Sequence, residues 1–168
     1  MKFPKGAHAG EINELLTSSI DLALTILSLA GIDIPKHLQG QAFLGSQASK
    51  TPRKYVFAGR DRMDEIYDRV RSVRDKQFRY LYNYMTDRPK YMDLKYQRTM
   101  GYMQEILDLH NQGKLNKYQE EWFVPTKSQE ELYDVLNDPD ELHNLAEDPA
   151  YADKLAELRG AFQTWTKK

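Results

Sequence analysis

The spacing of apolar positions changes several times along the chain, and each change predicts an element. From Ser19 to Ala30 the sequence SIDLALTILSLA is apolar on nearly every side of a helix. Ser18 or Ser19 is placed as N-cap, Asp21 in the first turn and Gly31 just past the end. Such a helix calls for burial on several faces. Ile34-Pro35 and Gln39-Gly40 then open an irregular connector that runs to Pro52. Tyr55-Val56-Phe57-Ala58 and Arg69-Val70-Arg71-Ser72-Val73-Arg74 are short runs of strand formers, and Asp75-Lys76 supplies a turn. Phe78, Tyr80, Tyr82 and Tyr84 alternate with Arg79, Leu81 and Asn83, the period of a strand with one aromatic face. Residues 88–97 are polar, rich in tyrosine and without a clear period. Thr99 to Asn111 and Leu115 to Trp122 read as helical around Gly113, and Leu132 to Val135 as a strand entering the Asn137-Asp138-Pro139 turn. Last, Tyr151, Leu155, Leu158, Phe162 and Trp165 recur at one face of a helix.

These elements predict an α+β fold. A small antiparallel sheet of about four strands, near residues 55, 72, 81 and 133, packs against the C-terminal helix, with an additional buried N-terminal helix. Residues 1–18, with Pro4, Gly6 and Gly10, read as a loop arriving from elsewhere, and residues 19–168 as one domain.

Composition narrows the chemistry. The 24 Lys plus Arg nearly balance the 25 Asp plus Glu, so no net field favours nucleic acid or an anionic membrane. The chain has no cysteine, which removes disulfides, thiolate metal sites and cysteine nucleophiles together. No apolar run approaches a membrane span, and Met1-Lys2-Phe3-Pro4-Lys5-Gly6 has no apolar signal core. That start fits either a cytoplasmic chain or one whose natural N-terminus lies further upstream. His8, His37, His110 and His143 are too scattered for a zinc site, and the acidic residues Asp134 to Glu141 lack the order and glycine of a calcium loop. They suit a turn before the last helix, with Asn144 or Asp148 as caps.

Three stretches, in order, resemble the C-terminal part of sulfatases of the heparan N-sulfatase and arylsulfatase-like kind. Ser19 to Ile32, with Pro35 and Gln39-Gly40, is similar to the family's D-L-x-P-T-L-L-x-L-A-G helix and following loop, although Leu24 stands where the family usually has proline. Phe57 to Glu65, Arg71-Ser72-Val73-Arg74 and Phe78 to Tyr84 resemble a family hairpin leading into R-x-V-R and Y-K-Y-I-x-N. Glu131-Leu132-Tyr133-Asp134 through Asn144-Leu145 resembles E-L-Y-D-L-x-x-D-P-x-E-x-x-N-L.

The resemblance implies a sulfuric ester or N-sulfate hydrolase that uses calcium and a formylglycine made within Cys/Ser-x-Pro-x-Arg. Here the residues two before each proline are Lys2, Asp33, Lys50, Asp87, Phe123, Asn137 and Glu147, none of them Cys or Ser. The formylglycine and the metal ligands of the family lie upstream of the matching region. No catalytic residue, metal ligand or cofactor is therefore expected in this chain, and it is expected to be inactive by itself. Its expected partners are an N-terminal catalytic domain and, in the parent enzyme, a sulfated carbohydrate. The family is often periplasmic, secreted or lysosomal.

Arg60-Asp61-Arg62-Met63-Asp64-Glu65 lies between two strands, and the resemblance implies a place near the family's substrate entrance. Arg60 and Arg62 could bind sulfate there and shape the cleft, or the run is a solvated loop of mixed charge. Arg69 and Arg71 should share the solvent face of their strand, and the aromatic row of 78, 80, 82 and 84 should pack the core. Besides a cleft-shaping C-terminal domain, two alternatives stand. One is a free-standing module that binds sulfated sugar or a protein partner, and the other an enzyme of unfamiliar chemistry. An apolar helix left bare near Asp21 would favour self-association.

Overall fold

The computed structural model describes residues 10–167, so the first half of the expected incoming loop, residues 1–9, lies outside the described residues. The chain divides into two compact units, one up to Val56 and the other from Phe57 onward.

The first unit is built on helix α1 (Asp21–Leu29). Gly31, at φ 71°, ends it as the sequence suggests. Neither Ser18 nor Ser19 caps it. The N-cap is Ile20, with no side-chain bond, and Asp21 reaches back instead to the backbone N–H of Ser18 at 2.8 Å. The helix is not buried on several faces either. Asp21, Leu24, Thr25 and Ser28 are buried, while Leu22, Ile26 and Leu29 are exposed. The polar stripe holds the connector: Asp21 accepts from Gln41 N–H at 2.8 Å, Thr25 from Phe43 N–H at 3.2 Å and Ser28 from Gln47 N–H at 3.0 Å. Gly45, at φ 88°, passes so close to Ser28 that a Cβ would sit 2.8 Å from its carbonyl oxygen.

In the second unit, strands β1 (Val56–Met63), β2 (Ile66–Arg74), β3 (Phe78–Asn83) and β4 (Glu130–Asp134) form one sheet in the order β1-β2-β3-β4. Asp64-Glu65 joins β1 to β2, a connection too short for anything but an antiparallel pair. β2, β3 and β4 pair antiparallel, with Val73, Tyr80 and Leu132 opposite one another. These three are fully buried on the face covered by α4 (Ala152–Thr166), whose Leu155, Leu158 and Phe162 are buried with them. Phe162 stacks on Tyr82 with ring centroids 5.1 Å apart and leans on Tyr80 at 5.7 Å, and Trp165 stacks on Phe57 at 5.0 Å. The apolar stripe of the last helix thus meets the aromatic row of β3. Tyr84 is the exception, lying past the strand end and exposed.

Between β3 and β4 run a 3₁₀ turn (Gln97–Thr99), α2 (Gly101–Asn111) and α3 (Lys117–Glu120). Asn116 caps α3 in a reciprocal capping box with Gln119. Asp148 caps the turn entering α4 through Ala150 N–H at 2.9 Å, whereas Asn144 binds Leu132 N–H on β4 instead. Among the described residues no helix is long and apolar enough to cross a membrane.

Candidate functional site

The sheet face turned away from α4 is polar. Alternation sends Arg79, Leu81 and Asn83 of β3 to this face, and the register sets Ser72 of β2 and Glu131 of β4 on either side of Leu81. Together with Arg60, Asp68, Arg71, Lys90 and Lys127 they line an open cavity of about 320 Å³.

Charge organises this cavity. Asp68 is 1% exposed and receives Arg60 Nη2 at 2.5 Å on one carboxylate oxygen and Lys127 Nζ at 2.6 Å on the other. Arg60 Nε also donates to the Asp68 backbone carbonyl at 3.3 Å. Glu131 accepts from Asn83 at 2.8 Å, Lys90 at 3.1 Å and the Tyr133 hydroxyl at 2.6 Å. Burial, and then that bond to a carboxylate, push the Tyr133 hydroxyl well above the ordinary tyrosine value, so it stays a neutral donor. Arg79 gives one nitrogen to both Glu141 oxygens at 2.8 Å.

Arg71 depends on a glycine. A Cβ at Gly59 would lie 2.9 Å from the Arg71 Cδ, so the bare backbone lets the side chain lie across β1. There it donates to the Arg60 carbonyl at 3.1 Å and pairs with Asp61 at 2.7 Å.

Five cations line the cavity with two carboxylates, Asp68 and Glu131. Counting Asp61 and Glu141, which pair with Arg71 and Arg79, four carboxylates answer five cations. Lys127 is sealed at 3% side-chain exposure, but Arg60, Arg79 and Lys90 keep 36–39% of theirs while paired with Asp68, Glu141 and Glu131. Partly exposed cationic side chains, two of them held by the buried carboxylates of Asp68 and Glu131, can take an additional anion.

Arg60 and Arg62 do not sit in a loop, because β1 continues through both to Met63. Arg60 lines the cavity and Arg62 does not. The Arg62 side chain donates to the Asp64 carbonyl at 2.6 Å, with its guanidinium 5.0 Å from the centre of the Tyr67 ring at the hairpin end. Arg69 and Arg71 both reach Asp61, as alternation predicts, but only Arg69 is open to solvent; Arg71 is held at 16% exposure. The cavity members that sequence reading missed are Asp68, Arg79, Lys90, Lys127 and Glu131. Nothing in their local sequence sets Lys127 apart from other surface lysines.

Among the described residues no three His, Asp or Glu side chains converge as metal ligands, and the chain has no cysteine. These residues do not fit a calcium and formylglycine centre, and no catalytic step is assigned to them.

Residues 1–119 match the family described as N-sulphoglucosamine sulphohydrolase, C-terminal. The chain belongs to this family. It is 42% identical over 165 residues to an ulvan-active sulfatase of Formosa agariphila, covering 98% of this chain but 28% of that protein. A candidate sulfatase from Bacteroides thetaiotaomicron superimposes with a TM-score of 0.60 at 25% identity, over 93% of this chain and 26% of the other. A 2-O GAG sulfatase does so with 0.56 at 24% identity, over 88% and 24%, and at that identity it supports the fold alone. The chain thus spans about a quarter of the length of these sulfatase relatives.

Proposed function

We propose that this sulfatase C-terminal chain serves a larger enzyme by holding the anionic part of a sulfated carbohydrate beside a catalytic centre supplied by the rest of that enzyme. The observation that carries the reading is the cationic cavity, in which Arg60 is aimed by buried Asp68 and stands with Arg79 and Lys90 at the solvent edge. The sulfatase relatives, one of them active on ulvan, support a sulfate ester as the anion. Chemistry from the chain alone has no support, since no nucleophile is paired with a base in the cavity. The exposed Leu22, Ile26 and Leu29 of α1 support contact with the remainder of the enzyme.

Arg60 is the residue on which the reading turns, and Arg62, at the hairpin end, plays a lesser part at the rim. Charge-assisted contacts of this kind are worth about 1.5–3 kcal/mol. In a full-length parent, Arg60→Ala should raise the KM for a sulfated oligosaccharide about tenfold or more and leave a small aryl sulfate unaffected. Equal loss on both substrates, or none on either, would refute the role.

A further inference from the structure

A second groove, of about 310 Å³, adjoins the cationic cavity. Ile106, Leu115 and Leu142 line it with apolar side chains, and Tyr118 and Trp122 with aromatic ones. Trp122 is 37% exposed and is held from behind, edge-on to Tyr91 with ring centroids 5.6 Å apart and against Phe123 at 5.8 Å. Tyr91 N–H donates to the Trp122 carbonyl at 2.8 Å, which fixes the backbone beneath the ring. The indole is thus an anchored surface, partly bare.

The two cavities meet at shared side chains. Lys90 lines both, and the Arg79–Glu141 pair spans them, with Arg79 lining the first and Glu141 the second. One side of this junction is cationic; the other is apolar and aromatic, lined also by Gln119 and by the carboxylates of Glu121 and Glu141, which accept hydrogen bonds from hydroxyls. That division matches a sulfated oligosaccharide, whose sulfate needs cations and whose pyranose C–H faces are apolar surfaces rimmed by hydroxyls. An aromatic face carries negative charge density that attracts such C–H groups. Each volume lies near the lower end of small-molecule sites, roughly 300–1,000 Å³, so neither alone would enclose a long oligosaccharide.

We propose that the groove and the cavity form one saccharide track, in which Arg60, Arg79 and Lys90 hold the sulfate and Trp122 and Tyr118 receive a ring further along the same oligosaccharide. The proposal rests on the reading of the cationic cavity given above and adds that this chain recognises sugar length as well as charge.

The test is calorimetric titration of the whole 168-residue chain with a heparin disaccharide, a heparin hexasaccharide and a desulfated hexasaccharide. The sulfated hexasaccharide should bind at least about tenfold more tightly than the disaccharide, a gain of about 1.4 kcal/mol. Trp122→Ala should reduce hexasaccharide affinity to the level of the disaccharide, and Lys90→Ala should weaken both. A readout that leaves the groove intact comes from Trp165→Phe, in which Trp122 is the sole tryptophan. Its emission should shift with the hexasaccharide and not with the disaccharide. Equal affinity for the two lengths, or a Trp122 emission blind to the hexasaccharide, overturns the track while leaving the cationic reading standing. Equal binding of the desulfated sugar overturns the cationic reading, and no binding of any sugar overturns both.

Discussion

Asp68→Asn removes one negative charge from the centre of the cationic cavity with almost no change of shape. In the native chain Lys127 Nζ lies 2.6 Å from Asp68, and their side chains are 3% and 1% exposed. Breaking a buried pair by neutralising one partner costs about 3–5 kcal/mol, because the other charge is left uncompensated. The amide oxygen still accepts one bond from Lys127, which places the expected cost near the lower end, about 3 kcal/mol. Arg60 adds little, since its side chain is 39% exposed and can turn to water. Lys127→Met should be milder, about 1–2 kcal/mol, because Asp68 keeps Arg60. The double variant should therefore be more stable than Asp68→Asn alone, a coupling that independent sites would not show. Urea denaturation followed by near-ultraviolet circular dichroism measures all three. An Asp68→Asn cost below about 1 kcal/mol, or a double variant at the sum of the singles, would refute the buried-charge account.

Phe162→Ala should cost about 3–5 kcal/mol, since the ring is buried against Tyr80 and Tyr82, and the chain should melt roughly 6–20 °C lower in a calorimetric scan. Stability should also fall in acid through Glu130. The Arg159 guanidinium, at 2.7 Å on both carboxylate oxygens, holds Glu130 below the ordinary 4.5. The stabilisation from this pair is fully present above that value and is lost as pH falls through the depressed one, so Arg159→Met should flatten that part of a stability–pH curve. The purified chain should hydrolyse neither an aryl sulfate nor N-sulfated glucosamine, with or without calcium, and turnover above an empty-vector control would sink this expectation.

Legibility in the sequence followed the apolar pattern and stopped where charge took over. Helix α4 was readable because Leu155, Leu158 and Phe162 repeat at helical spacing, and β3 because its aromatic residues alternate. The second half of β1 was not. Gly59-Arg60-Asp61-Arg62 has no apolar face, and it stays extended through edge pairing and through Arg71 lying over Gly59 to meet Asp61. The cavity was less readable still. Asp68 and Lys127 stand 59 residues apart, and Lys127 belongs to no regular element, so only the folded sheet brings the pair together. Arg60 was singled out by the sequence, but the carboxylate that aims it was not.

Helix α1 is apolar by composition but polar on its buried side. Its apolar pattern suggested burial on several faces, yet Asp21, Thr25 and Ser28 lie at i, i+4 and i+7, a polar stripe within an apolar helix. That stripe turns inward because the connector has no regular partner for its N–H groups and must find acceptors on side chains. Arg53 joins them, donating to Asp21 at 2.6 Å. With the polar side committed to the connector, Leu22, Ile26 and Leu29, again at i, i+4 and i+7, are left 48–64% exposed. Three large apolar side chains in one helical row, each about half exposed, forgo roughly half of the 1.5–3 kcal/mol that full burial gives, and contact with a partner would recover it. The same unit therefore commits its polar groups to its own connector and leaves an apolar row exposed, the row proposed above to meet the rest of the enzyme.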